Sequence, residues 1–130
     1  MAEGVLVIFE RRGYLAGLLR PWAIQCRLRV VEARTVGDCL RAVSDHGACL
    51  ILYDASELSL DVADAVAQLH VASPDSRVIV LYHEAAPQSE LAVRESGAAS
   101  ALRQPLSRRQ LLEVLGTRGN APPLGEPPII

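Results

Sequence analysis

At 130 residues, half of them hydrophobic, the chain can build one domain with a real core. A net charge of −2 gives no electrostatic case for nucleic acid or an anionic membrane, and since every basic residue other than histidine is arginine, chemistry that needs a lysine amine is excluded. Cys26, Cys39 and Cys49 are odd in number and sit in apolar segments, as reduced, buried thiols of a cytoplasmic protein do, and no apolar run approaches the roughly 18 residues of a membrane span.

Val5-Leu6-Val7-Ile8-Phe9 is an unbroken, β-branched-rich run ended by Glu10, which predicts a first buried strand with an acid at its carboxyl end. Tyr14, Leu15, Leu18, Leu19 and Trp22 recur at helical spacing, weakened at either end by Gly13, Gly17 and Pro21. Residues 27–32 alternate in part, as a more exposed strand would. Thr35 with Asp38 resembles a capping box, Val36, Cys39, Leu40 and Val43 form one stripe behind it, and Gly47 is placed to end that helix. Leu50-Ile51-Leu52-Tyr53 stops at Asp54; a short apolar run without alternation reads as a strand buried on both faces.

Asp61 to Leu69 predicts another helix, with Val62, Ala65, Val66 and Leu69 on one face. Ser73-Pro74-Asp75-Ser76 is a turn by composition, and Arg77 to Tyr82 is the next buried strand. Pro87 fits the first turn of a helix that carries Leu91 and Val93 and closes at Gly97. Residues 99–103 form a short strand. Ser107 with Gln110 is a capping box opening a last helix stopped by Gly116, and residues 117–130 form a Pro/Gly-rich tail.

Strict alternation of five strands and five helices with short loops implies a three-layer α/β domain over residues 4–116, its parallel sheet covered on both faces. Right-handed crossovers favour the flavodoxin-like order 2-1-3-4-5. In that order the carboxyl ends of strands one, three, four and five converge, and ligands of open α/β sheets bind there. Glu10, Asp54, Tyr82 with His83, and Gln104 with Pro105 would meet at this edge.

From Val5 to Gly116 the chain resembles the receiver domains of response regulators in two-component signalling. Residues 97–106, Gly-Ala-Ala-Ser-Ala-Leu-Arg-Gln-Pro-Leu, are similar to the family's Gly-Ala-x-x-(aromatic)-Leu-x-Lys-Pro-(apolar) segment. Leu52-Tyr53-Asp54 matches the end of the strand that carries the phospho-acceptor, and Val80-Leu81-Tyr82 matches the strand that normally finishes in Thr or Ser. The resemblance implies Asp54 as the phospho-acceptor equivalent and a cis peptide at Gln104–Pro105.

The departures from the family pattern bear on function. A working receiver holds Mg²⁺ with an acid pair after the first strand and the acceptor aspartate, and here the pair reads Phe9-Glu10. Only weak Mg²⁺ binding at Glu10 and Asp54 follows, and no other cofactor is implied. Gln104 replaces the lysine that neutralises the phosphoryl charge, Tyr82 the small hydroxyl, and Ala101 the aromatic switch residue. The resemblance is therefore to a degenerate, atypical receiver (a pseudo-receiver).

Each residue also has a plainer reading. Asp54 could cap the turn into Ala55-Ser56-Glu57, Glu10 could be a solvated partner of Arg11 or Arg12, and Tyr82 and His83 could pack and face solvent. His46 and Cys49 are too few for a zinc site, and neither G-x-G-x-x-G nor a P-loop occurs. The expected function is non-enzymatic: signal transduction through protein–protein contact, independent of phosphorylation. Homodimerisation would use the fourth helix, fifth strand and fifth helix, whose face would carry Glu90, Arg94, Glu95, Arg103, Arg108 and Arg109. One alternative is residual phosphotransfer to Asp54 from a histidine kinase or small phosphodonor within a phosphorelay. Another is a regulatory domain joined by the tail to the output domain of a transcriptional regulator. Direct nucleic-acid or membrane partners are not expected.

Overall fold

A computed structural model describes residues 4–11 and 13–115; Arg12, the expected helix stop Gly116 and the tail from Thr117 lie outside the described residues. Five strands, β1 (Gly4–Phe9), β2 (Leu28–Ala33), β3 (Leu50–Leu58), β4 (Arg77–Ala85) and β5 (Ser100–Arg103), form a parallel sheet in the order β2-β1-β3-β4-β5. They alternate with helices α1 (Tyr14–Gln25), α2 (Val36–His46), α3 (Leu60–Ala72), α4 (Ser89–Glu95) and α5 (Arg108–Val114). This is the flavodoxin-like order expected from the sequence.

The absence of alternation in the central runs has its cause in the two cores. Leu6, Ile8, Leu52, Ile79 and Leu81 pack with Leu15 and Leu19 of α1 and Leu111 of α5 on one face. Their neighbours Val7, Ile51, Val78 and Val80 pack with Cys39, Val43, Val66 and Leu69 on the other. A fully buried Leu or Ile contributes roughly 1.5–3 kcal/mol, so both faces had to be apolar. All three cysteines are free, and burial pushes the Cys39 thiol up to about 12, with Asp38 adding to the shift.

Local signals hold at most helix ends. Both expected capping boxes form, Thr35 with Asp38 and Ser107 with Gln110. Ser59 also accepts from the Val62 amide at the start of α3. Helix α1 instead runs through Pro21 to Gln25. Pro21 removes one hydrogen bond, but its side is exposed, while Leu19 and Ala23 on the inner side are fully buried. Pro87 lies in the turn before α4 rather than inside it.

Gly97 ends the α4 turn at φ +114°, and a Cβ there would come within 2.5 Å of His70 Cγ and 2.8 Å of His70 Cβ. Gly97→Ala is therefore expected to cost about 1–3 kcal/mol in a denaturant titration, because backbone strain and a displaced α3 side chain add. An unchanged midpoint would contradict this packing.

Strands β3 and β4 differ most from expectation. The sequence predicts that they end at Asp54 and Tyr82, yet they continue as a pair to Leu58 and Ala85. The ladder crosses a bulge around Asp54 and Ser56, and Ser56 takes the left-handed φ of 56°. Ser56, Glu57, His83 and Glu84 are solvent-exposed, so the extension carries no apolar pattern to announce it.

Candidate functional site

Beyond the carboxyl ends of β1 and β3 lies a cavity of about 950 Å³, lined by Phe9, Glu10, Arg11, Tyr14, Leu15, Tyr53, Asp54, Ala55, Ser56, Glu57, Ser59, Asp61, Val62, His83 and Gln104. The sequence-predicted residues Glu10, Asp54, His83 and Gln104 do meet here. Tyr14, Glu57 and Asp61 were not foreseen as lining residues. The β3 extension brings Glu57 to the cavity, and the helix starts bring Tyr14 and Asp61.

Glu10 is buried, and its carboxylate is engaged. Oε1 accepts from the Leu15 amide at 2.7 Å and Oε2 from the Ala16 amide at 2.6 Å. These amides belong to the first turn of α1, whose N-cap Gly13 is left-handed and offers no side-chain acceptor. Glu10 thus supplies the cap from three residues upstream of Gly13, where anionic oxygen also meets the positive end of the helix dipole. The reading of Glu10 as a solvated partner of Arg11 or Arg12 does not describe this buried side chain.

Asp54 is partly buried on β3, within reach of the Ser56 backbone amide. Burial raises its pKa above the ordinary 3.8; the Glu10 charge adds to the rise, and the Ser56 hydrogen bond and His83 oppose it. The folded state therefore holds the Asp54 proton more tightly than the unfolded chain does. This contribution to stability is fully present below pH 3.8 and is lost as pH rises through the folded pKa. Asp54→Asn should then melt a few degrees above the wild type at pH 7, with the gap shrinking toward pH 3. A variant that melts lower at pH 7 would reverse the sign.

The donor set does not fit Mg²⁺. Both Glu10 oxygens are bound by helix amides and Phe9 brings no oxygen, so of the expected pair Glu10 and Asp54 only Asp54 is left to offer the ion a carboxylate. Among the described residues no three His, Cys, Asp or Glu side chains are grouped to hold a metal ion. Phe9 instead stacks on Tyr53, with ring centroids 4.3 Å apart and planes 19° from parallel. Where the family pattern has an acid, this chain has an aromatic wall.

Tyr82 turns away from Asp54. Its ring is buried with Val80, Val93 and Ala101, and its hydroxyl donates to Glu90 Oε1 on α4 at 2.8 Å. Arg103, its register partner on β5, lies 5.6 Å over the ring. Burial raises the phenol pKa, the Glu90 hydrogen bond raises it further, and Arg103 opposes both. Beside this cluster a groove of about 540 Å³ is lined by Ala85, Ala86, Gln88, Glu90, Leu91, Arg94 and Arg103. Arg108 stacks on Trp22 at 5.2 Å, and Arg109 pairs with Glu113 at 3.4 Å. The Gln104–Pro105 peptide is cis.

No protein-family model matches the sequence, and no curated protein matches it. Solved structures share its fold. A response regulator from Thermotoga maritima is 12% identical, with a TM-score of 0.75 over 90% of this chain and 100% of that one. A response regulator protein from Burkholderia pseudomallei, with a phosphorylated aspartic acid, a calcium ion and citrate, is 22% identical, with a TM-score of 0.70 over 88% and 68% of the two chains. An atypical orphan response regulator, whose structure revealed a phosphorylation-independent regulatory mechanism, is 13% identical, with a TM-score of 0.64 over 78% and 82%. At these identities the likeness establishes the fold.

Proposed function

We propose that this chain, which has the fold of response-regulator receiver domains, is an atypical receiver that signals by protein contact without using a phosphoryl group. The observation that carries this reading is the engagement of Glu10. Phosphoryl transfer in a pocket depends on cations that stabilise the charge in flight. Here the one remaining acid after β1 is consumed by the α1 amides, and Gln104 brings no charge. The second support is the Tyr82–Glu90 hydrogen bond, which ties β4 to α4 through the chain's own side chains.

The contact face consists of α4, β5 and α5, and its partner is a second copy of the chain. Several charges that sequence reasoning assigned to this face have intramolecular partners: Glu90 and Arg103 hold Tyr82, Arg108 covers Trp22, and Arg109 pairs within α5. Leu91, at 62% exposure, and Arg94 are the outward groups beside the groove. Leu91→Arg is the cleaner test, since reversing Arg108 would also disturb Trp22. A sedimentation profile that shifts from dimer to monomer in this variant supports the face, and a wild-type monomer excludes it.

The reading as a whole is tested by an amide-resolved NMR titration with Mg²⁺ and then beryllofluoride. The expected result is no shift at Asp54 or its neighbours at either step. Saturable shifts centred on Asp54 and spreading to Gln104 and α4 would establish a working phospho-acceptor instead.

A further inference from the structure

The cavity at the carboxyl edge is too large to be only the remnant of an ion site. Its volume of about 950 Å³ falls within the range of small-ligand pockets, roughly 300–1,000 Å³. Its charge is one-sided: Asp54, Glu57 and Asp61 line it with Glu10, against Arg11 and His83. Among the described residues no ion pair joins Asp54, Glu57 or Asp61 to a base. Gln104 lines the same cavity, and its Oε1 is buried with no hydrogen-bond partner among the described residues. The site thus presents three carboxylates outside any ion pair and one amide oxygen without a hydrogen bond among the described residues.

Aromatic rings form part of its wall. Phe9 and Tyr53 form one side, and Tyr14, at 73% exposure, stands free at the start of α1. Leu60, at 67% exposure, sits between the lining residues Ser59 and Asp61 at the start of α3, on the other face of the sheet. Tyr14 lines the cavity and the exposed Leu60 lies between two lining residues, which suits an occupant with apolar as well as polar groups. A planar guanidinium combines several donors with a face that stacks on aromatic rings.

We propose that this cavity receives an arginine side chain presented by an apolar segment of a protein partner, with Asp54 as its carboxylate anchor and Tyr14 as its stacking wall. The inference rests on the reading above that the pocket holds no Mg²⁺. It names what takes the place of the metal and the phosphoryl group. Asp54 would then be retained as a recognition residue rather than an acceptor.

The test uses the full chain and three probes, followed by amide NMR: a hexapeptide with one arginine between leucines, the same peptide with neutral citrulline, and methylguanidinium alone. The arginine peptide should shift Tyr14, Asp54 to Glu57 and His83, and bind at least tenfold tighter than either of the others. Asp54→Asn should remove that tenfold advantage. Tyr14→Ala, a change at an exposed position, should weaken binding several-fold without altering the melting temperature. Equal affinity for the arginine and citrulline peptides, or shifts elsewhere on the domain, would overturn the proposal. Methylguanidinium binding as tightly as the peptide would overturn the assignment to a protein partner. Silence toward both the arginine peptide and Mg²⁺ removes this inference while leaving the proposed function intact. Shifts with Mg²⁺ and beryllofluoride remove the proposed function itself.

Discussion

Glu10→Ala is expected to destabilise the domain by about 2–3 kcal/mol, lowering the thermal midpoint by roughly 10 °C. The loss has two parts. Two hydrogen bonds to a buried carboxylate disappear, and each bond to a charged group is worth about 1.5–3 kcal/mol before water re-enters. The start of α1 then has no side-chain cap, because Gly13 has none to give. Glu10→Gln keeps the length but turns an amide NH₂ toward one of two donors, so it should recover only part of the loss. Glu10→Asp is a methylene shorter and should not hold both amides. Urea titration with the Leu15 and Ala16 amide resonances as local probes separates the cases. An alanine variant within about 0.5 kcal/mol of the wild type would mean that the carboxylate does not act as the cap, and the case against a metal site would fall with it.

That bond also marks the limit of sequence reading here. Asp54, Glu10, His83 and Gln104 were placed at one edge by topology alone, because a parallel sheet in this order leaves few other arrangements. Which way Glu10 pointed was not legible. A Glu just past a buried strand fits a pocket acid, a surface ion pair and a helix cap equally well, and only the left-handed Gly13 three residues on decides among them. The β3–β4 extension was hidden for a different reason. Ser56, Glu57, His83 and Glu84 face water, so ladder hydrogen bonds and not side-chain burial make them strands. The capping boxes at Thr35 and Ser107 were legible because both partners lie within four residues of each other. The Tyr82–Glu90 and Arg108–Trp22 contacts join separate elements, and nothing local encodes them.

The largest expected effect belongs to Tyr82. Tyr82→Thr should cost about 3–4 kcal/mol, since it deletes a buried ring and leaves a cavity between the sheet and α4. Ala101 offers a direct check of what that ring replaces. It sits on β5 opposite Val80, on the same face as Tyr82 and diagonal to it, within the same core. Ala101→Tyr alone should overpack this space and cost about 1–3 kcal/mol. Together the two changes conserve aromatic volume, so the double variant should be more stable than the sum of the single effects by at least about 1 kcal/mol. Denaturant titrations of the four proteins close the cycle. Strict additivity would mean that the two positions do not share one cavity. Tyr82→Phe separates ring from hydroxyl: it keeps the volume and removes the bond to Glu90. Hydrogen exchange should then quicken in Ser89 to Glu95 while the β4 amides stay protected. An α4 that exchanges no faster would show that the ring alone fixes this helix. An α4 pinned by its own β4 tyrosine is what the proposed function requires of that face, which is why the stability cycle also bears on function.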